Sequence, residues 1–359
     1  MSSWPDQRIL DLFGIELPIV LAPMAGPGTA ELAIAVSEAG GLGSLPCAQL
    51  NVEQTRDALK LIRARTSKPF NVNFFCHTPP APEPEREAKW RERLAPYYAE
   101  LDLDLKAALG APSRKPFDEE FCVVMEELKP PVVSFHFGLP PKPLLDRVKA
   151  TGAKVIASAT TVAEARWLDE RGCDAIVAMG AEAGGHRGNF LSMEAARQVG
   201  TFALVPQVAD AVKVPVIAAG AIADERGVVA AFALGASAVQ IGTAYLFCPE
   251  AKVPPVHLMA LESANDDDTV ITNVFTGRLA RGIVNRAIRE LGPITTIAPA
   301  FPLASSATGP LRTKAESAGS PDFSTLWSGQ AARLSPRGLS ARELTRTLAE
   351  KASARINAH

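Results

Sequence analysis

Two hydrophobic patterns alternate along residues 19–247 of the chain. A short apolar run is followed by a loop that contains glycine, and then by a segment whose apolar residues recur at helical spacing. Eight apolar runs follow this scheme, and we predict strands at 19–24, 41–45, 70–75, 132–137, 154–159, 175–180, 215–220 and 238–246. Because most runs are continuously apolar, they indicate a parallel sheet that is covered on both faces.

The segments between the strands carry helix signals. Thr29 can cap a helix that stops at Gly40, and Asn51 with Gln54 resembles a capping box. Eight strand and helix units predict an α/β protein with a closed (β/α)8 TIM barrel. An open doubly wound sheet is the alternative, but it is typified by a GxGxxG fingerprint after its first strand, where this chain has MAGPG at 24–28.

Two regions of the chain do not follow the alternating strand and helix pattern. Residues 76–131 form a long, partly charged connection after the third strand, which we interpret as an insertion over the barrel mouth. Beyond residue 246 more than a hundred residues follow, ending in a predicted helix at 340–354. We therefore expect a barrel at 1–248 and a C-terminal helical cap with a terminal helix at 249–359.

The amino-acid composition limits the classes of molecule that this protein is expected to bind. Among 359 residues, 37 basic side chains nearly balance 39 acidic ones, so no general positive field favours nucleic acid or an anionic membrane. The N-terminus lacks the pattern of a signal peptide, and no apolar stretch is long enough to span a bilayer. The five cysteines are scattered, without CxxC spacing. These features predict a cytoplasmic protein whose partners are small molecules, and they leave its oligomeric state open.

Two small-residue motifs lie where TIM barrels commonly bind phosphate, after the seventh and eighth strands. Gly220 ends the seventh run, and the eighth carries Gln240, Ile241, Gly242 and Thr243. Glycine lets a ligand approach the backbone, and free N–H groups at a helix start attract an anion. Although each motif alone could be a tight turn, the pair predicts a site for one phosphate monoester.

The loop after the sixth strand reads Gly184-Gly185-His186-Arg187-Gly188 and combines a flexible backbone with a titratable ring. His186 is the candidate catalytic residue, because an imidazole near the barrel mouth can remove a carbon-bound proton or hold an anion. The alternative is a structural histidine that holds the loop. For Arg187 we expect a structural salt bridge.

Three other strand ends carry candidate contacts. His136 and Ser134 share one face of the fourth strand, opposite two phenylalanines, and a buried hydrogen-bonded histidine is an equal alternative there. Asn73 can reach a ring edge through its amide or cap a loop. Ala22, Pro23 and Met24 close the first strand, where small residues admit a flat ring, although Met24 could equally be core. His77, His257 and His359 are expected at the surface. We expect no metal site, because no ligand motif is present.

In order along the chain, these motifs resemble those of the nitronate monooxygenases, particularly their class I branch. The resemblance is carried by the motifs at 17–26, 39–43, 71–75, 133–138, 182–188, 215–222, 240–243, 276–286 and 326–330. It implies a non-covalent FMN and the oxidation of alkyl nitronates, such as propionate 3-nitronate, by O2 to a carbonyl compound and nitrite. Such an enzyme is an oxidoreductase that would detoxify nitroalkanes.

The resemblance also implies residue roles. His186 matches the family's active-site histidine, and His136 matches a second histidine near the substrate. The positions implied to surround the flavin are Ala22, Pro23, Met24, Asn73, Met179, Gly184, Gly220, Gln240, Ile241, Gly242 and Thr243. Two positions depart from the family pattern: Met179 stands where many relatives carry glutamine, and Phe301 where class I relatives often carry tyrosine.

Two other functions remain open at this stage. An FMN-dependent NAD(P)H oxidoreductase, of the enoyl-ACP reductase II or quinone reductase kind, shares the barrel motifs but takes hydride from a nicotinamide. A barrel that only binds a phosphorylated metabolite, with His186 in a structural role, is the non-enzymatic alternative. The physiological substrate, and whether neutral nitroalkanes are accepted, are not determined by these patterns.

Overall fold

The computed structural model describes residues 4–107 and 114–358. In chain order its strands are β1 (Ile19–Leu21), β2 (Gly43–Pro46), β3 (Phe70–Phe75), β4 (Val132–His136), β5 (Lys154–Ala159), β6 (Ala175–Met179), β7 (Gly185–His186), β8 (Val216–Ala219), β9 (Ala238–Ile241), β10 (Thr269–Thr272) and β11 (Ala280–Ile283). Eight of these, all except β7, β10 and β11, form one parallel sheet in the order β1-β9-β8-β6-β5-β4-β3-β2. A parallel bridge between Val20 and Leu42 brings its two edge strands together. The predicted TIM barrel is confirmed.

The helices are α1 (Arg8–Phe13), α2 (Ala30–Ala39), α3 (Val52–Arg65), α4 (Pro84–Glu100), α5 (Glu119–Leu128), α6 (Lys142–Ala150), α7 (Val162–Glu170), α8 (Thr201–Ala211), α9 (Glu225–Ala233), α10 (Pro255–Ser263), α11 (Arg286–Leu291), α12 (Ala304–Ser317) and α13 (Ala341–Ile356). The capping signals act as expected: Thr29 caps α2, and Asn51 with Gln54 forms a capping box on α3. The eighth predicted strand was too long. It ends at Ile241, because residues 243–247 form a 3₁₀ turn.

Two apolar layers hold the barrel. The outer layer packs the strands against their helices and includes Leu21, Val72 and Phe135. The inner layer fills the barrel interior, where Ile9 and Phe13 of α1 pack against strand residues such as Val20, Ile156 and Ile217. Helix α1 thereby closes the N-terminal end of the barrel, and the carboxyl ends of the strands are left as the open end.

The connection after β3 divides into two parts. Helix α4 packs on α12, and its Trp90, Leu94 and Tyr98 belong to a separate core formed with residues of the cap. Helix α5 instead packs between α3 and α6, as a barrel helix does. We therefore propose that the insertion covering the mouth ends before α5.

The last helix also packs on the barrel. Helix α13 contacts α2 and α9, and its Leu344 and Leu348 lie in the outer barrel core. The Tyr245 and Thr345 hydroxyls are hydrogen-bonded at 2.7 Å. Because α13 completes the ring of helices, we propose that the cap consists of residues 249–339 and that α13 belongs to the barrel. The cap is tied back to the mouth by a small antiparallel sheet in which β11 pairs with both β10 and β7.

Candidate active site

One cavity of about 690 Å³ opens at the carboxyl ends of the barrel strands. Almost every site residue predicted from the sequence lines it: Ala22, Pro23, Met24, Asn73, His136, Met179, Gly184, His186, Gly220, Gln240, Gly242 and Thr243. Ile241 is the exception. Alternation along β9 turns its side chain into the outer core, where it is 1% exposed, so a cofactor-binding role for that side chain is wrong.

The strand ends on one wall bring small groups close together. A Cβ atom on Gly242 would lie 3.2 Å from the Cβ of Ala22 and 3.5 Å from the sulfur of Met24. On β3, Asn73 donates its amide N–H to the Ser134 hydroxyl at 2.9 Å. The Asn73 amide is thus held in one orientation on the cavity wall, with its carbonyl oxygen as the remaining acceptor.

The loops after β8 and β9 form a glycine-lined end of the cavity. Gly220 has φ 114° and Ala221 has φ 58°, both in the left-handed region. Gly184, in the loop between β6 and β7, also lines the cavity; a Cβ there would lie 2.5 Å from the Gly329 nitrogen, so the cap backbone touches that loop directly. Within the described residues the N–H groups of Ala221 and Gly242 donate no backbone hydrogen bond. Unpaired N–H groups at a close backbone approach suit an anionic group of a ligand.

His186 lies on β7, where it pairs with Ala280 of β11. Its Nε2 is 3.0 Å from the Thr276 hydroxyl. The ring lies among aromatic side chains, 5.3 Å from Phe301 and 5.5 Å from Trp327 between ring centroids. This apolar setting, together with the positive charge of Arg114, lowers the pKa of His186 well below its usual value. The imidazole is therefore neutral at pH 7.

His136 uses both ring nitrogens within the protein. Its Nε2 is 3.1 Å from the backbone carbonyl oxygen of His186, and its Nδ1 is 3.0 Å from the Ser158 hydroxyl. A carbonyl only accepts, so Nε2 carries the proton and Nδ1 accepts from Ser158. Burial lowers the pKa of His136 to about 3, which keeps the ring neutral. The geometry matches the hydrogen-bonded alternative for this histidine.

Arg187 is fully buried beneath the His186 loop. Its guanidinium donates to the carbonyl oxygens of Gly180 at 2.6 Å and Met179 at 2.7 Å, and to the Gln198 side chain at 2.7 Å. The expected structural role fits this geometry, but its partners are carbonyl groups and not the expected carboxylate. Arg187 thereby joins the end of β6 to the loop that carries His186.

Three further arginines make the histidine side of the cavity positive. Arg114 and Arg312 line the cavity, and burial together with the charge of Arg312 lowers the pKa of Arg114 to about 10. The Arg278 guanidinium stacks 3.7 Å above the Phe137 ring, and its charge lowers the pKa of both His136 and His186. These cations favour an anionic ligand next to His186.

Several of these residues were not predicted from the sequence. Arg114, Arg312 and Ser158 had no distinguishing signal, because they come from the insertion, the cap and β5, and only the folded chain brings them to the mouth. Thr276 lies in the motif at 276–286, but that motif assigned it no role. The expected surface positions of His77 and His257 were wrong: they are 7% and 6% exposed, since cap and aromatic residues cover them. His359 lies outside the described residues.

Comparison with known proteins agrees with the site. The family model for nitronate monooxygenase matches residues 6–351. The chain belongs to the nitronate monooxygenase family. It is 42% identical over 346 residues to a nitronate monooxygenase from Pseudomonas aeruginosa, covering 96% of this chain and 98% of that one. A nitronate monooxygenase from Paraburkholderia phytofirmans is 40% identical and covers 95% of this chain and 94% of its own length.

Two solved structures resemble the chain over nearly its whole length. The nitroalkane oxidase from Streptomyces ansochromogenes has a TM-score of 0.88 and 37% identity, and the match covers 98% of this chain and 99% of that one. FabK from Thermotoga maritima has a TM-score of 0.75 and 30% identity, covering 99% and 98%. Membership of the family confirms the predicted oxidoreductase that acts on nitronates, and supports a flavin as its cofactor. In the described ranges no helix is both long and apolar enough to cross a membrane.

Proposed function

We propose that this family member binds FMN non-covalently and oxidises alkyl nitronates with O2 to a carbonyl compound and nitrite. The observation that carries the proposal is the shared cavity. The residues expected to hold a flavin line one part of it, and a neutral histidine beside three arginines lines another. A flat cofactor and a small anion therefore have adjacent places in one enclosed space.

The residues present fit FMN. Ala22 and Met24 line the cavity where a flat ring can lie, and the Asn73 carbonyl oxygen remains to accept from an imide N–H. The unpaired N–H groups of Ala221 and Gly242 suit a terminal phosphate. We propose that the phosphate binds there, beside the Thr243 hydroxyl, which accepts from the Gly329 N–H at 3.0 Å and keeps its own proton to donate.

The chain's contribution is binding, orientation and electrostatics. A bound flavin would supply the electron-transfer chemistry of the oxidation. Arg114 and Arg312 attract the anionic nitronate toward His186, and the rings of Phe75, Phe137, Phe301 and Trp327 exclude water around it. His186 touches the substrate, either holding the nitronate or removing a proton from a neutral nitroalkane.

His136 has a different proposed role from the one implied by the resemblance. Because Ser158 and the His186 carbonyl occupy its nitrogens, it has no free polar atom on its ring for the substrate. We propose that His136 is a positioning residue that fixes the backbone of His186. A Cβ on Gly188 would come within 3.0 Å of its ring, so the loop passes directly over it.

Anaerobic mixing tests the function. The purified protein should be yellow or become so with FMN, and propionate 3-nitronate should reduce the bound flavin while NADH leaves it oxidised. The same experiment tests the hydride-transfer alternative, for which the structural similarity to FabK is the reason. Rapid bleaching by NADH without nitronate would contradict the proposal, and a colourless protein that cannot be reconstituted would favour the binding-only barrel.

A variant separates cofactor binding from chemistry. His186→Ala should retain flavin but lose most turnover, because the flavin-lining residues are untouched. Unchanged turnover with both nitronate and nitroalkane would remove the assigned role. We also propose a cytoplasmic location. All five cysteines, each within the described residues, are unpaired, which suits a reducing compartment.

A further inference from the structure

The hydroxyl of Thr276 is the one protein group in contact with the His186 ring nitrogens in the described chain. Thr276 is 1% exposed, and its Oγ1 lies 3.0 Å from His186 Nε2. The other ring nitrogen, Nδ1, makes no hydrogen bond to the described residues, and the His186 side chain lines the cavity. The chemistry available to a substrate at Nδ1 therefore depends on the proton at Nε2.

The turn that carries Thr276 offers the hydroxyl proton an acceptor other than His186. Thr276 Oγ1 also lies 3.4 Å from the backbone carbonyl oxygen of Arg278, which accepts no other hydrogen bond in the described residues. A carbonyl cannot donate, so in this contact the threonine is the donor. When that proton is directed to Arg278, the Thr276 oxygen accepts from His186 and Nε2 carries the hydrogen.

The turn is rigid enough for this assignment to hold. Gly277 has φ 83°, and a Cβ there would lie 2.0 Å from the Pro299 carbonyl oxygen, so the turn is pressed against the segment that leads to Phe301. The Gly277 N–H donates to the Asn273 carbonyl at 2.8 Å. On the other side, His136 holds the His186 backbone. Both partners of the Nε2 contact are therefore fixed in place.

We propose that Thr276 is a positioning residue that holds His186 in the Nε2–H tautomer and so presents Nδ1 to the cavity as a proton acceptor. A neutral nitroalkane would transfer its α-carbon proton to Nδ1, leaving the electron pair on the substrate as the nitronate. The imidazolium so formed keeps its Nε2–H bond to Thr276. This inference rests on the proposed function, since it assigns the base for one substrate class of the same site.

The decisive experiment measures the tautomer without substrate. Nitrogen-15 NMR of histidine-labelled, flavin-loaded protein reports which ring nitrogen carries hydrogen, and His186→Ala identifies the His186 signals. The wild type should show a protonated Nε2 and an unprotonated Nδ1. A protonated Nδ1 in the wild type overturns the proposal whether or not the protein oxidises nitronates, so its failure is distinct from that of the proposed function.

Variants test whether Thr276 is the cause. Thr276→Val keeps the shape but removes the hydroxyl, and should shift His186 away from the pure Nε2–H tautomer, while Thr276→Ser should restore it. Turnover of nitroethane should fall about tenfold or more in Thr276→Val, and turnover of ethyl nitronate less than about threefold, because only the neutral substrate needs a base. Thr308→Val is the matched control, because its buried hydroxyl donates to the Phe275 carbonyl at 2.9 Å and touches no histidine.

Each outcome is informative. An unchanged His186 spectrum in Thr276→Val would refute the role of the hydroxyl, and so would equal loss of turnover with both substrates. Should Thr276→Val fail to fold, the wild-type spectrum still decides the tautomer, and Thr276→Ser shows whether a hydroxyl at this position is enough.

Discussion

Arg187 gives the most direct quantitative prediction. In Arg187→Met a side chain of similar length replaces the guanidinium, so the acceptors at Met179, Gly180 and Gln198 lose their donors, which lie at 2.6–2.7 Å in the structure. A hydrogen bond to a charged group contributes about 1.5–3 kcal/mol, which sets a gross loss of about 4.5–9 kcal/mol for three. Because the buried cation also carried a desolvation cost, we expect a net loss of about 3–5 kcal/mol of unfolding free energy.

Urea unfolding, followed by circular dichroism with and without FMN, measures this loss. Arg197→Met is the matched control: its ion pair with Glu194 is 2.7 Å long, but the two side chains are 67% and 60% exposed. We expect less than about 1 kcal/mol from that pair. Flavin affinity should also fall in Arg187→Met, because the freed carbonyls end the strand that borders the cavity. A loss below about 1 kcal/mol, or one equal to that of the control, would refute the reasoning.

Three other predictions follow from the geometry. Gly184→Ala should weaken FMN binding about tenfold or more in a fluorescence titration, because the new Cβ would meet the Gly329 backbone nitrogen at 2.5 Å; Gly309→Ala, with open space around it, should have no such effect. Burial lowers the pKa of His77 to about 4, so the folded state binds fewer protons than the unfolded state, and stability should rise by about 1.4 kcal/mol per pH unit between pH 4 and 6.5 through this group. Urea unfolding of the wild type and His77→Leu at pH 5 and 7.5 checks it, and equal pH slopes would contradict it. Arg114→Gln should raise KM several-fold for anionic nitronates but not for neutral nitroalkanes, and an equal change for both would show that its charge is not what the substrate recognises.

The barrel could be predicted because its signals are local. A continuous apolar run followed by a helical period reports burial on both faces of a strand, whatever the rest of the chain does. Six of the eight strands therefore matched to within about two residues at each end, while the first, predicted at 19–24, ends at Leu21. The eighth was extended through 242–246 because the 3₁₀ turn there is as apolar as a strand.

Helix α13 is an element whose presence, but not its packing partners, could be predicted from local sequence signals. Its capping box at Ser340 and Glu343 marks the helix start, but nothing in its sequence says that it packs on α2 and α9. About ninety residues of cap separate it from the strand whose unit it completes, and that distance suggested a cap helix. The order of elements along a chain does not fix which of them are neighbours in space.

The same distinction between local sequence signals and tertiary contacts applies to the candidate active site. By itself, the sequence determined the residues that each strand end carries, including His186, Gly220 and Gly242, because a barrel fixes which end of every strand faces the site. Only the tertiary structure decided what surrounds His186. Thr276 comes from the cap and Arg114 from the insertion, and their effect on the ring depends on distances of a few ångströms between segments far apart in the chain. Hydrogen bonds and charges act over such distances in space, and a local sequence pattern does not record them.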